Sequence, residues 1–249
     1  EYDNPLSGVL AFEQRDGNAK DFAAKVRVGA SEAGITINTP LFKGGKERSN
    51  TTLMLSARRS YLQFIFELVG LPIRPDYWDY QWKLTHTFDT YNSISFVGLG
   101  SIDDFSVVAP DEFDAEQQAT IEQVPIIQQR TTTLGLSWTR KFKNGNGRMR
   151  TSLSTNRLQN LFSRFANNEN KSGLLFENDA VEQETKLRSQ ITQFAGDWKF
   201  SYGFNLQLSN YSNATLSLLE NFNYATSINF TKYGFFGKAS RSYLNERLS

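Results

Sequence analysis

Cysteine is absent from the 249 residues and histidine occurs once, which removes two common kinds of functional site. Without cysteine the chain forms neither a disulfide framework nor a thiolate metal site. With a single histidine, a transition-metal site would depend on carboxylates, a donor set that suits such ions poorly. We therefore expect no metal and no cofactor.

Long apolar runs are also missing. The longest, residues 62–72, is interrupted by Gln63, Glu67 and Gly70. It is far shorter than the roughly 20 residues that a membrane-spanning helix needs, so helical spans are excluded. The mean hydropathy is −0.47. That value does not exclude a membrane location, because a barrel strand turns only every second residue toward lipid.

Charge of one sign is not in excess either, since the formal net charge is +1. Basic residues are spread singly instead of clustered, so we expect no nucleic-acid partner. No Pro/Gly/Ser-rich linker divides the chain, which we read as one large β domain. No signal peptide opens the sequence, and we expect a mature or trimmed segment beginning at Glu1.

Apolar and polar residues alternate along residues 77–88. Trp78, Tyr80 and Trp82 fall on one face of an extended strand, whereas Asp79 falls on the other. A helix would scatter both sets around its axis, so the period of two predicts a strand.

The same alternation recurs in residues 198–208, another run of about the length that crosses a bilayer as a tilted strand. These patterns predict a barrel wall with an apolar outside and a polar inside. The aromatic side chains expected at the lipid surface are Trp78, Tyr80, Trp82, Trp138, Trp198, Phe200, Tyr202 and Phe204.

Ten such strands are predicted, joined by connections of unequal length. The strands cover about residues 22–30, 35–41, 51–64, 77–88, 93–102, 132–142, 148–158, 184–194, 198–208 and 226–239. A medium link, 42–50, precedes long links at 66–76, 103–129, 162–181 and 209–224, which alternate with short ones at 89–92, 143–147 and 195–197. This alternation is typical of an antiparallel, up-and-down transmembrane β-barrel with tight periplasmic turns and extended outer loops.

Three blocks near the start of the chain carry a resemblance. They are LSGVL at residues 6–10 with RDGN at 15–18, AGIT to TPL at 33–41, and SARRSY at 56–61. In order and spacing, over residues 2–65, they resemble the plug-to-barrel junction of TonB-dependent outer-membrane receptors. The branch with a carboxypeptidase-regulatory-like domain ahead of the plug is the most similar. One departure is Tyr2, followed by Asp-Asn-Pro where the family usually has Tyr-Gly.

The resemblance implies that residues 1–18 end the plug domain and that residues 19–249 form part of a barrel of about 22 strands. It implies a receptor in the Gram-negative outer membrane that takes up a large or scarce solute. Its partners would be outer-membrane lipid, the TonB energy-transducing complex through a preceding N-terminal part, and a surface lipoprotein or other outer-membrane proteins. The alternative is a small, self-closed outer-membrane barrel that acts as a passive pore or a structural anchor.

Residues with chemical potential have modest interpretations. His86 falls on the tryptophan-rich face, away from the nucleophile that a catalytic triad needs, so we predict an interfacial ring and no enzyme. The acidic stretch 103–116 is either a solvated loop or a cation contact. Arg58 and Arg59 are adjacent, so at most one enters the lumen. The cations predicted to face inward, to line a positive lumen or pair with plug carboxylates, are Lys25, Arg27, Lys83, Arg148, Arg150, Lys186 and Arg188.

Overall fold

A computed structural model of the chain describes residues 12–108, 121–122 and 124–241, and these contain ten antiparallel strands and a short helix; residues 121–122 are also helical. The strands are β1 (Ala23–Val28), β2 (Glu32–Leu41), β3 (Thr51–Ser60), β4 (Ile73–Thr87), β5 (Asn92–Val107), β6 (Ile126–Lys141), β7 (Gly147–Asn167), β8 (Ser172–Ala195), β9 (Trp198–Ser217) and β10 (Phe222–Arg241). The helix, α1 (Leu62–Leu68), lies between β3 and β4.

The strands form one open sheet in which each strand pairs with the next along the chain. Every pairing is antiparallel, and β1 and β10 are the two edges. The predicted all-β, up-and-down architecture is confirmed. Among the described residues, no helix is long and apolar enough to cross a membrane.

The register sorts the side chains into two faces, because directly opposite residues of antiparallel strands project to the same side. Trp82 lies opposite Leu55 of β3 and Gly98 of β5. Following such pairs from strand to strand defines the apolar face, which carries Val26, Ile35, Leu55, Trp82, Phe96, Leu136, Leu153, Leu187, Leu206 and Tyr233. The opposite, polar face carries Lys25, Thr36, Ser56, Lys83, Ser95, Ser137, Ser152, Arg188, Asn205 and Lys232.

Strands β7 to β10 are 20 to 24 residues long, about twice their predicted length. The long loops predicted at 162–181 and 209–224 are wrong, since both stretches are mostly paired strand that ends in tight turns at 168–171 and 218–221. Lys171 and Asn221 adopt the positive φ values, 54° and 51°, of these turns. The predicted alternation of long and short connections therefore holds early in the sheet, where the long connection 61–72 is followed by the short turn 88–91. It fails between β7 and β10, where all the connections are short.

The strand ending at Ser60 is shorter than predicted, because the chain turns into α1. The N–H of Leu62 donates to Ser60 Oγ at 3.1 Å, which satisfies one of the helix's free donors. Gly70, with φ of 73°, follows α1 and turns the chain back toward β4.

Glycine at position 98 makes room for the Trp82 ring across the β4–β5 pair. A Cβ at this position would collide with Cε2 and Nε1 of the indole. We expect Gly98→Val to lower the free energy of unfolding by about 1–3 kcal/mol, because the ring must leave its site. Urea unfolding in lipid vesicles, followed by tryptophan fluorescence, measures the change. The matched control is Gly237→Val, on the same face with nothing within 4 Å; an equal loss there would contradict the steric explanation.

Candidate functional site: the two faces of the sheet

All eight aromatic side chains predicted for the lipid surface lie on the apolar face of the sheet. Trp78, Tyr80 and Trp82 follow one another on β4, Trp138 lies on β6, and the other four lie on β9. Trp78 is 44% exposed and Trp198 is 41% exposed. The described part of the protein therefore leaves these rings uncovered on one side, and their contact with lipid stays a prediction.

The apolar face has the height of a bilayer core. On β6, Leu134, Leu136 and Trp138 are bracketed by Arg130 and Arg140. Ten residues of strand rise roughly 34 Å. A tilt of about 40° reduces that height to roughly 26 Å, close to the ~25 Å apolar band of outer-membrane barrels.

Cations lie over aromatic rings at both borders of this band. The Arg59 guanidinium lies 4.7 Å from the centre of the Trp78 ring and pairs with Asp76 at 3.1 Å. At the other border, Arg241 lies 5.7 Å from the Trp198 ring. Such pairs suit a boundary where one side of the ring is wet and the other is apolar.

His86 also belongs to the apolar face, near its lower border, which is the border next to the turns at 88–91 and 142–146. Its Nδ1 lies 2.7 Å from Thr51 Oγ1, and its ring meets Phe88 edge to face at 4.6 Å. These contacts agree with the predicted interfacial ring. Within the described ranges, no group of three or more His, Asp and Glu side chains is placed to hold a metal ion.

The leading segment, residues 12–22, packs against the opposite, polar face. Lys83 donates to the Gln14 carbonyl at 2.7 Å and lies 2.9 Å from Asp16 Oδ1. Thr85 Oγ1 donates to the same carboxylate oxygen at 2.6 Å. These bonds hold the leading segment on β4.

The other end of the leading segment is held by the β2–β3 connection. Ser49 N–H donates to the Ala19 carbonyl at 2.8 Å, and Lys43 Nζ donates to the Lys20 carbonyl at 2.8 Å. Three of these hydrogen bonds are accepted by backbone carbonyls of the leading segment, so its position does not depend on the Asp16 side chain alone.

The pKa of the Asp16 carboxyl is lowered. Its partial burial alone raises the pKa, but the hydrogen bond from Thr85 and the hydrogen bond and charge of Lys83 together outweigh burial. A carboxyl with a lowered pKa stabilises the folded state above its unfolded pKa, and this contribution disappears as the pH falls through the folded value. The part of this contact that depends on Asp16 is therefore present above about pH 4 and is lost on further acidification.

An ionic network on the polar face joins β2, β3 and β4. Arg58 donates to Asp79 at 2.7 Å and to Glu32 at 2.8 Å. Tyr77 donates to the same Glu32 oxygen at 3.4 Å. Arg59 lies on the apolar face and Arg58 on the polar face, so at most one of the two can face a lumen.

The seven cations predicted to face inward all lie on the polar face, but their partners differ. Lys83 pairs with a carboxylate of the leading segment, Lys186 with Glu184 at 2.6 Å, and Arg150 donates to a serine hydroxyl. Arg15 extends the cationic surface into a groove of about 370 Å³, lined also by Lys25, Arg27, Glu32, Arg58, Asp79 and Gln81.

The carboxylate partners of these cations were not predicted from the sequence. Glu32 and Asp16 lie outside the strands predicted at 22–30 and 35–41, so the alternation assigns them neither a face nor a partner. Glu32 instead begins β2. The alternation of β4 could have placed Asp79 on the same face as Lys83, but no local signal identifies a pairing across 26 or 69 residues.

Some predicted features fall outside the described residues. The LSGVL block at residues 6–10 lies outside the described residues, and residues 15–18 of the same block are not strand. Most of the acidic stretch is also outside; its first members, Asp103 and Asp104, belong to β5. Gly98 and Gly100 are strand residues packed against Trp82 and Tyr80, which agrees with the interpretation of small residues in a strand.

Comparisons with known proteins support the fold. No family model matches the chain, and no curated protein matches it. Among solved structures, the copper transporter OprC is similar, with 10% sequence identity and a TM-score of 0.64 over 92% of this chain and 36% of that chain. The siderophore receptor PiuA from Acinetobacter baumannii is similar with 10% identity and a TM-score of 0.51, over 92% of this chain and 48% of that one.

The chain therefore spans between about a third and a half of the length of these two neighbours. At 10% identity, the likeness shows that the sheet has the fold of a segment of such proteins.

Phe96 and Leu99 offer a direct test of which face meets lipid. Both are exposed apolar residues of β5, at 40% and 46%, but they lie on opposite faces. We expect Phe96→Arg to cost about 2–4 kcal/mol in a bilayer, because it places a charge in the apolar band. Leu99→Arg should change stability by less than about 1 kcal/mol, since its face is polar.

Unfolding of both variants in phosphatidylcholine vesicles gives the comparison. A larger loss for Leu99→Arg than for Phe96→Arg would reverse the assignment of the two faces.

Asp16→Asn tests the attachment of the leading segment. The variant should increase amide hydrogen exchange across residues 14–20 at pH 7, because Lys83 loses its anionic partner. Acidifying the unmodified protein below about pH 4 should have the same effect after correction for intrinsic exchange rates. Asp21→Asn is the control, since the Asp21 carboxylate has no partner among the described residues. Equal exchange in both variants would show that the Asp16 contact does not hold the segment.

Proposed function

We propose that the chain is part of a TonB-dependent outer-membrane receptor that takes up a large or scarce solute. In this proposal residues 1–18 end the plug domain and residues 19–249 supply about ten strands of a barrel of about 22. The apolar face contacts membrane lipid and the polar face lines the lumen. Energy from the inner membrane arrives through the TonB complex, which contacts a part of the protein that precedes residue 1.

The observation that carries this proposal is the unequal covering of the two faces. The leading segment lies on the polar face, bound through Lys83 and Thr85, whereas the described residues leave the aromatic face open. A soluble sheet would cover its apolar face first, because burial of apolar surface drives folding. In the wall of a plugged barrel, the plug covers the polar face and the apolar face is left for lipid.

Two further observations support the same function. At a strand tilt of about 40°, the apolar band between Arg130 and Arg140 is roughly 26 Å high, which fits the hydrocarbon core of the outer membrane. The similarity to a copper transporter and to a siderophore receptor agrees with solute uptake.

The alternative of a small, self-closed pore or anchor requires its first and last strands to pair. In the described part of the chain β1 pairs only with β2, and β10 only with β9. Free edges do not occur in hydrocarbon, so in the receptor proposal further strands continue the wall. The intact mass of the native polypeptide separates the two, because a mass near the 28.3 kDa of this sequence would exclude the large receptor.

A disulfide lock tests the receptor mechanism. Asp16→Cys with Thr85→Cys places two thiols at a contact that is 2.6 Å between oxygens, in a sequence without other cysteines. In the full-length receptor, the oxidised lock should abolish growth under the condition in which deletion of the gene impairs the cell. Reduction should restore growth, since the plug can then rearrange.

The single variants Asp16→Cys and Thr85→Cys are the controls. Uptake that continues in the locked protein and in cells without a proton-motive force would identify a passive pore instead.

A further inference from the structure

A row of polar side chains crosses five strands of the apolar face at its upper border. The residues are directly opposite one another in the register: Thr132, Arg157, Gln183, Asn210 and Asn229. Arg130 lies two residues above Thr132 on β6, diagonal to Arg157. Such diagonal neighbours are about 7–8 Å apart, within reach of one ligand for two arginines.

We propose that this arginine–amide row, Arg130, Arg157, Gln183, Asn210 and Asn229, binds the phosphorylated head of a multi-acylated glycolipid in the outer leaflet. The chemistry is that of lipopolysaccharide, which carries phosphates and hydroxyls on a sugar head above several acyl chains. This inference rests on the proposed outer-membrane location.

The two guanidinium groups are the part of the row that needs a partner. Both are exposed, and in the described part of the chain neither has a hydrogen-bond or ion-pair partner. By contrast, Arg58 and Arg59 each have a carboxylate within 3.1 Å. An arginine beside hydrocarbon is costly without an anion, and phosphate matches its planar donor geometry.

The amides supply neutral hydrogen-bonding groups next to the arginines. Asn210 already donates to Asn229, which fixes the orientation of both side chains. A groove of about 670 Å³ runs along this part of the row, lined by Arg157, Gln183, Leu208, Asn210, Asn229 and Thr231 among others. Amide groups of this kind bind hydroxyls and carbonyls in a lipid head.

The surface below the row fits acyl chains. The second row below it on this face, four residues down each strand, runs through Leu136, Leu153, Leu187, Leu206 and Tyr233, each opposite the next. A ligand with a phosphate head and hydrocarbon tails satisfies both parts at once. Free phosphate would satisfy the arginines alone and leave this surface bare.

The position of the row in the membrane selects the outer leaflet. The turns 88–91, 142–146 and 196–197 lie together at one end of the sheet, whereas the long connection 61–72 lies at the other end with the extended ends of β7 to β10, so the first end is the periplasmic one in an outer-membrane barrel. The row lies toward the other end, where β7 to β10 extend beyond the apolar band.

The test uses the full-length protein purified from the outer membrane. The double variant Arg130→Gln with Arg157→Gln should retain about five- to tenfold less lipopolysaccharide per protein, measured by mass spectrometry of lipid A, since charge-assisted bonds to phosphate are lost. The matched control, Arg140→Gln with Lys143→Gln, removes the same charge from the lower border of the apolar face and from the adjacent turn. It should retain as much as the unmodified protein.

A second arm identifies the chemistry. The delipidated protein should rebind phosphorylated lipid A and should bind the dephosphorylated form about five- to tenfold more weakly, with inorganic phosphate failing to displace either. Equal retention by the two double variants, equal binding of both lipid A forms, or displacement by inorganic phosphate would overturn the proposal.

Failure of this inference is distinguishable from failure of the proposed function. Both double variants should reach the outer membrane with unchanged mobility on heating in detergent electrophoresis, and both should take up solute. An unmodified protein absent from the outer membrane would contradict the receptor itself. A correctly located protein whose Arg130/Arg157 variant keeps its lipopolysaccharide would contradict only the lipid site.

Discussion

The structure depends on an uninterrupted antiparallel hydrogen-bond ladder. Each of the ten strands pairs with its sequence neighbours, so the backbone groups between the two edges are satisfied without water. In hydrocarbon an unpaired N–H or C=O costs several kcal/mol, and only helices or closed sheets avoid that cost. Once the ladder is in place, the alternation of side chains gives the sheet two chemically different surfaces with no further element required.

Each surface then has its own kind of interaction. On the apolar face, contacts are short-range and local, such as Trp82 against Phe96 at 4.8 Å between ring centres. On the polar face, contacts span long stretches of sequence, since Asp16 meets Thr85 and Glu32 meets Arg58. The wall is therefore organised by the period-two pattern, whereas the attachment of the leading segment depends on a few specific charges.

The sequence was sufficient for the ten strands, their order and the face of every predicted aromatic residue, because period-two alternation is a local signal. It failed between β7 and β10. There Asn, Ser and Thr occupy both faces: Asn178 and Asn213 are hydrogen-bonded on the polar face, and Asn210 and Asn229 on the apolar face. The alternation therefore fades although the ladder continues. Helix α1 was missed because seven residues give too little periodicity. The carboxylate partners were missed because pairing across strands leaves no mark in local sequence.

The extra length of β7 to β10 has a mechanical consequence. Residues 212–217 of β9 continue beyond the level of Arg130 and add roughly 20 Å of strand, paired with neighbouring strands on both sides. On this part of the rim the chain continues as hydrogen-bonded strand, which is stiffer than an unpaired loop of the same length. A large molecule that approaches the sheet from the side therefore meets ordered strand at this height of the rim, and not an unpaired loop.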